Sequence, residues 1–354
     1  MRRFVNEYLY QLYLSFFEGQ LDVELFQVAL TDLAEHTLEL ALKVVADEMD
    51  LDEAPITVIG MGKVALKRMS PLSDLDLIFV FDPNKISLEK ASRFVSRFQT
   101  AISTPMREGI VYELDTRLRP SGRSGAPVVS IESLENHHLQ RAHTWEHIAL
   151  IPSRVVAGDK STIDQIDDIK RSVLVKKRDT SQLMADALKM WNRIAEHRIT
   201  DSSSELMSSK LSIGGLMQAE YLASCLVLKN SQLLNVKDVS FDILLKQSVQ
   251  NEYELESGLE QDVRQLPEII QFWRIQQLWE RLLGKTDERI DSIAPDYLQR
   301  LLEQSDVDSV EQLVEKKQQY ATAVTNAMQQ LFDPLGMDTQ AIDEWHEVAV
   351  KWLG

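Results

Sequence analysis

Cysteine is almost absent from this sequence, since the 354 residues include only Cys225. A single cysteine excludes an intramolecular disulfide, which fits the reducing cytosol and predicts a cytoplasmic location. Cys225 lies in the apolar run of residues 221–228, so we interpret it as a small buried side chain rather than a nucleophile.

Long hydrophobic runs are also absent. No stretch approaches the roughly 18 apolar residues that a membrane-spanning helix requires, so no membrane partner is predicted. Near the N-terminus, Asn6 and Glu7 interrupt the apolar residues that follow Arg2 and Arg3, and no signal peptide is expected. With 44% hydrophobic and 26% charged residues, the composition is that of a soluble globular protein.

Positive charge is scarce, since 38 Lys and Arg stand against 55 Asp and Glu and give a net charge of −17. A general nucleic-acid binder needs a basic face that displaces counterions, so no nucleic-acid partner is predicted. A local group of basic residues can still bind ATP where a cation shields the phosphates.

Residues 54–82 are the most informative stretch of the chain. The β-branched run of residues 56–59 predicts a buried strand, and Gly60-Met61-Gly62-Lys63 follows it directly. A glycine turn lets the backbone approach a phosphate closely. About ten residues later, Ser73-Asp74-Leu75-Asp76 runs into a second apolar strand. Because side chains alternate along a strand, Asp74 and Asp76 point to the same face.

Two adjacent carboxylates repel each other unless a cation lies between them, and oxygen ligands of this kind suit Mg²⁺. A lone Asp-x-Asp pair is usually no metal site, and a glycine pair is often only a tight turn. The combination at this spacing is typical of the nucleotidyltransferase superfamily, whose third carboxylate lies on a later strand. Asp115 is the candidate for that third carboxylate, so Asp74, Asp76 and Asp115 are the predicted catalytic and metal-binding residues.

Arginines follow Asp115 in a segment rich in proline, glycine and serine. By strand alternation, Arg117 and Arg119 are expected on the same face as Asp115. There they are placed to bind triphosphate oxygens. The alternative is that one arginine only neutralises Asp115.

The expected fold class is α+β, a small polymerase-beta-like mixed sheet with flanking helices, followed by a helical bundle. The expected domains are N-terminal helices at 1–50, a nucleotidyltransferase domain at 51–160 and a helical domain at 161–354. A helix over residues 22–47, capped by Asp22, is expected to bury Phe26, Leu30, Leu33, Thr37, Leu40 or Ala41, and Val44. Strands are expected at 55–60, 75–81, 109–116 and 126–130, with a helix at 87–102 and only helices from residue 131 onward, among them 178–199, 215–230, 256–283 and 309–331.

Two further stretches allow more than one interpretation. His143, Glu146 and His147 fall near one helix face, but the spacing is not that of a zinc metalloprotease. We favour packing and hydrogen bonding there, with Arg154 nearby as a second-shell or nucleotide contact. Gly214-Gly215 opens a helix, which suits an anion at its free N–H groups or only a tight interhelical turn.

Together these motifs resemble the adenylyltransferase half of the glutamine synthetase adenylyltransferase family. The resemblance runs almost from end to end. It includes IGMGK, SDLDLIF, GIVYELDTRLRPSGRSG, TWEHIALIPSRVVAGD and the later K-x3-GGL-x2-AE motif. The sequence is most similar to the C-terminal, AMP-attaching unit of the bifunctional enzymes, and it holds one such unit.

The resemblance implies ATP as substrate, Mg²⁺ as cofactor, glutamine synthetase as protein substrate and a PII-type signal protein as a regulator. It implies that Asp74, Asp76 and Asp115 form the metal triad. It further implies that ATP phosphates lie against Gly60, Gly62, Lys63 and Ser73, with Lys210 and Glu220 as second-shell candidates.

Two departures from the family pattern bear on activity. The family usually has two glycines and a glutamate at positions where this sequence has Ala65, Leu66 and Arg68. It also has an aspartate where Gln218 stands here. Because the triad is intact, we favour an active transferase. The alternative is a degenerate nucleotidyltransferase that serves as a nucleotide- or partner-binding module.

Overall fold

The first half of the chain combines helices with a small sheet. The computed structural model describes residues 1–120, 122, 126–200, 209–236, 239–250, 259–283 and 293–332. The helices of this half are α1 (Arg2–Phe17), α2 (Val23–Glu48), α3 (Gly62–Ala65), α4 (Leu88–Ser103), α5 (Ile131–Asn136), α6 (Thr144–Leu150) and α7 (Ile163–Val175). The strands are β1 (Ile56–Met61), β2 (Leu75–Phe81), β3 (Leu114–Asp115), β4 (Val129–Ser130) and β5 (Ser153–Gly158).

The sheet is mixed, which confirms the expected α+β class. Strand β1 lies between β2 and β5 and is antiparallel to both. The outer edge of β2 pairs in parallel with β3 near its beginning and with β4 near its end. The beginning of β2 is therefore the place where residues from two parallel strands meet side by side.

Three expectations about strands need correction. Only helices were expected after residue 130, but β5 forms the sheet edge beside β1. The expected strand over 109–116 is only two residues long, because the preceding residues run as a turn and open loop. The expected strand over 126–130 is likewise only β4.

Helix α2 confirms the expected capping, since the Asp22 side chain accepts a hydrogen bond from the Leu25 N–H at 2.8 Å. The expected buried stripe is correct through Ala41, but Val44 is 42% exposed and Val45 is buried instead.

One face of the sheet packs on α4, where the ring centroids of Phe79 and Phe98 are 5.3 Å apart. The other face packs on α5 and α7 through a cluster of Ile59, Met61, Ile78, Val80, Ile131, Leu134, Ile166 and Ile169.

The second half of the described chain is helical, as expected. Its helices are α8 (Thr180–Thr200), α9 (Leu216–Lys229), α10 (Phe241–Gln250), α11 (Leu259–Arg264), α12 (Leu266–Leu283), α13 (Pro295–Gln304) and α14 (Val310–Phe332). Cys225 is fully buried in α9, as the sequence indicated. No helix in the described ranges is long and apolar enough to cross a membrane.

The chain divides into two compact units. One comprises residues 1–174 with 239–241, and the other comprises residues 175–238 with 242–354. The domain limits inferred from the sequence, at 1–50, 51–160 and 161–354, stay predictions.

Candidate active site

Three carboxylates meet at the beginning of β2. Asp76 is in β2 and is paired in register with Asp115 at the end of β3, while Asp74 comes just before β2. One oxygen from each of Asp74, Asp76 and Asp115 lies within 4.8 Å of the others. Within the described ranges this is the only group of three or more His, Cys, Asp or Glu side chains with such spacing.

The apolar character of β2 positions these groups. Every residue of β2 except Asp76 is buried, and Leu75 and Leu77 are completely covered on the opposite face. Asp76 therefore shares its face with Ile78 and Val80 at the point where the strand reaches solvent. The Leu75 N–H donates to the Glu113 carbonyl oxygen at 2.9 Å, which holds β3 alongside.

The triad fits a magnesium ion by chemistry and by size. Its donors are all carboxylate oxygens, which Mg²⁺ prefers. Octahedral coordination at about 2.1 Å places opposite ligand oxygens about 4.2 Å apart. Adjacent ligands of such an octahedron lie about 3.0 Å apart, so three oxygens within 4.8 Å of one another could share one ion after small rotations of their side chains.

Arg117 is bound to the third carboxylate. Its Nε donates to Asp115 Oδ1 and Oδ2 at 2.9 and 2.7 Å, and its backbone N–H donates to Oδ1 at 2.9 Å. The hydrogen bond to Asp115 and the charges of Asp115, Asp76 and Asp74 raise the pKa of the Arg117 guanidinium above its usual value. Arg117 therefore faces all three carboxylates and neutralises part of their charge in this structure.

Arg119 takes a different direction. It was expected on the strand face of Asp115, but β3 ends at Asp115 and strand alternation does not continue to either arginine. Instead the Arg119 side chain binds the Thr116 hydroxyl at 3.0 Å and the Ala126 carbonyl oxygen at 3.0 Å. These bonds tie together the loop that follows the triad.

Lys63 and two serines form a chain of hydrogen bonds before β2. Lys63 Nζ donates to Ser70 Oγ at 3.1 Å, and the Ser70 and Ser73 hydroxyls lie 3.0 Å apart. The Ser70 N–H also donates to Ser73 Oγ at 3.1 Å. Ser73 is thus buried and holds the turn that leads to Asp74. Sequence reasoning missed Ser70, although its place three residues before Ser73 is a common spacing for a hydrogen-bonded turn.

The two predicted phosphate-binding glycines have different surroundings. A Cβ on Gly60 would lie 2.6 Å from Val156 and 2.9 Å from Val64, so Gly60 allows β5 and α3 to pack closely. Gly62 has φ +54°, and a Cβ there would point at Asp76 Oδ2 from 3.4 Å. Gly62 therefore leaves free the space beside the triad.

Of the second-shell candidates, Arg154 lies in the same unit as the triad. Its Nε donates to the Ala65 carbonyl oxygen at 2.8 Å, its Nη2 donates to the Val64 carbonyl oxygen at 3.1 Å, and it pairs with Glu35. Arg154 thus satisfies the carbonyl end of the short helix α3. Glu35, which sequence reasoning missed, fixes Arg154.

Lys210 and Glu220 belong to the second compact unit. Glu220 Oε1 accepts from Nε and Nη2 of the buried Arg274 at 3.1 and 3.0 Å. The Met217 N–H donates to the Lys210 carbonyl oxygen at 3.1 Å. These contacts give both residues a part in the helical fold, and their proposed second-shell role stays a prediction.

The tight-turn interpretation of Gly214-Gly215 agrees with the structure. The Gly214 N–H donates to Gln218 Oε1 at 2.8 Å, and the Gly215 N–H donates to the Ser212 carbonyl oxygen at 3.0 Å. The next two N–H groups of α9 bind the carbonyl oxygens of Ser209 and Lys210. The N–H groups that an anion would need are therefore occupied.

The histidines around α6 are held by hydrogen bonds. Glu146 binds His137 and accepts from the His143 N–H at 3.0 Å, and a ring nitrogen of His147 bonds to the His138 carbonyl oxygen at 2.9 Å. These bonds agree with the hydrogen-bonding interpretation. His138 lies in a π-helical turn and is only 5% exposed, and its two ring nitrogens have no hydrogen-bond partner among the described residues.

Acidification is expected to destabilise the fold through His138. Burial, followed by the neighbouring His137 and His147, lowers the pKa of His138 from 6.5 to about 4. The unfolded state therefore binds the proton first, and stability falls as the pH drops from about 6.5 to about 4. At about 1.36 kcal/mol per pKa unit, the free energy of unfolding should fall by roughly 3 kcal/mol.

Urea denaturation at pH 7 and pH 4 measures this effect. In His138→Leu the free energy of unfolding should differ much less between pH 7 and pH 4, because most of that loss is removed. His36→Asn, a change at an exposed histidine, is the matched control and should leave the difference unchanged. An unaltered pH dependence in His138→Leu would contradict the assignment.

With the geometry in place, comparison with known proteins identifies the relatives of this chain. Residues 1–168 match the family model described as glutamate-ammonia ligase adenylyltransferase. The resemblance to this family, expected almost from end to end, is confirmed over this part of the chain. The bifunctional glutamine synthetase adenylyltransferase/adenylyl-removing enzyme of Agrobacterium fabrum is 32% identical over 244 residues, and that of Aromatoleum aromaticum is 36% identical over 232 residues.

Each of these alignments covers 64% of this chain and 24% of the relative. The chain thus spans about a quarter of the length of the curated relatives that it matches. The family match includes the whole of the carboxylate site, from Gly60 to Arg154, and ends before the helical unit.

Proposed function

We propose that this chain is an ATP- and Mg²⁺-dependent adenylyltransferase that transfers AMP to a tyrosine of glutamine synthetase and so regulates nitrogen assimilation. The observation that carries the proposal is the meeting of Asp74, Asp76 and Asp115 within 4.8 Å. This meeting occurs in the part of the chain that matches the adenylyltransferase family. By the same resemblance, the chain corresponds to the AMP-attaching unit, and a PII-type signal protein is its regulator.

Asp74, Asp76 and Asp115 would hold the metal. Bound Mg²⁺ would shield the charge of the phosphates and stabilise the pyrophosphate leaving group. The remaining positive charge comes from the chain itself. Arg117 binds Asp115 directly and Lys63 binds Ser70 in the turn before Asp74, and the planar guanidinium that now binds Asp115 suits a phosphate equally well.

The proposed transfer balances as follows. The tyrosine oxygen forms a bond to the α-phosphorus of ATP, the bond between that phosphorus and the bridging oxygen breaks, and pyrophosphate leaves. The tyrosine proton must be removed, and Asp115 is the proposed acceptor because it ends β3 beside Asp76. Release of Asp115 by Arg117, as Arg117 turns to the phosphates, would couple substrate binding to the freeing of this base.

The departures from the family pattern at Leu66, Arg68 and Gln218 are accommodated locally, although Lys67 within the altered turn has φ +54°. Leu66 has φ −78° and ψ −3°, an ordinary helical conformation that does not require glycine. Arg68, at the position of the family glutamate, pairs with Glu24 at 3.0 Å. Gln218 supplies the acceptor for the Gly214 N–H. These substitutions therefore give no structural ground for abandoning catalysis in favour of a binding module.

The deciding experiment incubates the chain with purified glutamine synthetase, Mg²⁺ and ATP labelled at the α-phosphate. We expect label on one tyrosine of the synthetase and an equal amount of released pyrophosphate. ATP labelled at the γ-phosphate is the control and should leave the synthetase unlabelled. ATP binding without transfer would overturn the proposal and favour the degenerate binding module.

A further inference from the structure

The turn that leads into the carboxylate site contains a leucine in an unfavourable conformation. Leu72 has φ +55° and is 95% exposed. A leucine at positive φ is disfavoured by contact between its Cβ and the backbone, and such conformations persist only where the surrounding structure imposes them. Scattered exposed leucines are ordinary on protein surfaces, but they do not usually carry this backbone strain.

The surrounding hydrogen bonds show what imposes this conformation. Residues 70–73 form a turn closed by the Ser73 N–H, which donates to the Ser70 carbonyl oxygen at 3.1 Å. Proline at the second position and positive φ at the third is the arrangement of a type II turn, in which glycine is usual at the third position. Here Pro71 precedes Leu72, so a large apolar side chain occupies the place of glycine.

Both ends of this turn are buried. Ser70 and Ser73 are 4% and 6% exposed, and their hydroxyls lie 3.0 Å apart. Lys63 Nζ donates to Ser70 Oγ at 3.1 Å, and the Met69 N–H donates to the Thr31 hydroxyl at 3.4 Å. The turn is therefore fixed to the body of the unit while its tip points outward.

The position of Leu72 limits what could cover it. It precedes Asp74 by two residues, so a surface that covers Leu72 comes within a few residues of the first of the three carboxylates. An aliphatic side chain offers no donor for phosphate oxygens. A small ligand is normally enclosed by its pocket, and a side chain that is 95% exposed encloses nothing. The occupant must therefore bring a surface of its own, as a protein does.

We propose that Leu72 is an apolar anchor that contacts the protein acceptor of the transfer reaction and determines the acceptor's affinity rather than that of ATP. This inference rests on the proposed function, and the acceptor is accordingly glutamine synthetase. Apolar anchors that become covered at an interface contribute most of their energy by leaving water. Because hydrogen bonds already fix the backbone of the turn, little backbone entropy would be lost when the partner binds.

The test compares wild type with Leu72→Asn and Leu72→Gly, because both replacements accept positive φ and both remove the apolar group. Leu88→Asn is the matched control, since Leu88 is also exposed, at 51%, and begins α4 beyond the far end of β2. In labelled AMP transfer, the KM for glutamine synthetase should rise roughly ten-fold in both Leu72 variants, with little change in kcat or in the KM for ATP. Leu88→Asn should match wild type.

Stability and binding separate this inference from simpler explanations. Thermal unfolding of Leu72→Gly should occur at or above the wild-type temperature, because glycine relieves the strain, so a loss of affinity could not be attributed to unfolding. Equilibrium binding of purified glutamine synthetase without ATP should weaken by a similar factor. This binding assay tests the role of Leu72 even if the wild-type chain transfers no AMP. Binding of the synthetase without transfer would refute only the proposed function.

Three outcomes would overturn the inference. The first is unchanged binding and unchanged KM for the synthetase in both Leu72 variants. The second is a rise in the KM for ATP instead, which would assign Leu72 to the nucleotide. The third is an absence of binding between the wild-type chain and the synthetase.

Discussion

Asp76→Asn is expected to reduce AMP transfer to glutamine synthetase by at least about 1,000-fold. Asp76 is the carboxylate whose neighbours are all buried strand residues, and it lies in register with Asp115. Asparagine has the same shape but lacks the charge that holds a divalent cation. The measurement is the rate of label transfer from ATP labelled at the α-phosphate, at saturating Mg²⁺.

The same substitution should leave the fold intact or slightly strengthen it. Three carboxylates within 4.8 Å of one another repel, and removing one charge relieves two pairwise repulsions of about 1 kcal/mol each in a watery environment. Wild-type protein should therefore gain thermal stability when Mg²⁺ is added, and the gain should be smaller in Asp76→Asn. This second readout is independent of catalysis.

Asp82→Asn is the control for this prediction. Asp82 follows the other end of β2 and accepts a hydrogen bond from the Asn84 N–H at 2.8 Å, which an asparagine oxygen also accepts. Transfer by Asp82→Asn should equal that of wild type. If Asp76→Asn kept wild-type transfer, the three carboxylates would not be the catalytic centre.

The carboxylate site could be anticipated from the sequence because local rules determine most of it. Alternation along β2 sets Asp76 on the face opposite Leu75 and Leu77. The arginine-rich loop after Asp115 indicates a role for Arg117, and Arg117 does pair with Asp115, in the neutralising contact that is the alternative to phosphate binding. The roles of these residues in binding and catalysis stay predictions.

Other parts of the fold depend on contacts that are distant in sequence. Strand β5 pairs with β1 about a hundred residues away, and its short run offers little periodicity to set it apart from the helices around it. The function of Arg154 in closing α3 likewise depends on Val64 and Ala65. The positive φ of Leu72 is invisible to residue preferences, which reserve that conformation for glycine.

Gly214→Ala is expected to destabilise the helical unit by about 2–5 kcal/mol, the largest effect on stability that we predict. Gly214 has φ +67°, and a Cβ there would lie 2.2 Å from the carbonyl oxygen and 2.4 Å from the Cα of Ala321 in α14. Backbone atoms at this distance cannot move aside as a side chain can. Helix α14 would have to shift, although Leu313, Val324 and Met328 bury it against its neighbours.

Gly109→Ala separates the two causes of this effect. Gly109 also has positive φ, at +85°, but a Cβ there would meet no atom within 4 Å. The control therefore carries the backbone strain without the close approach, and should cost only about 1 kcal/mol. Urea denaturation measures both variants, with the fluorescence of the buried Trp273 and Trp279 following Gly214→Ala in the helical unit. Circular dichroism, which also detects the helices of the first unit, follows Gly109→Ala. Equal losses in the two variants would mean that strain alone, and not the contact with α14, requires glycine at position 214.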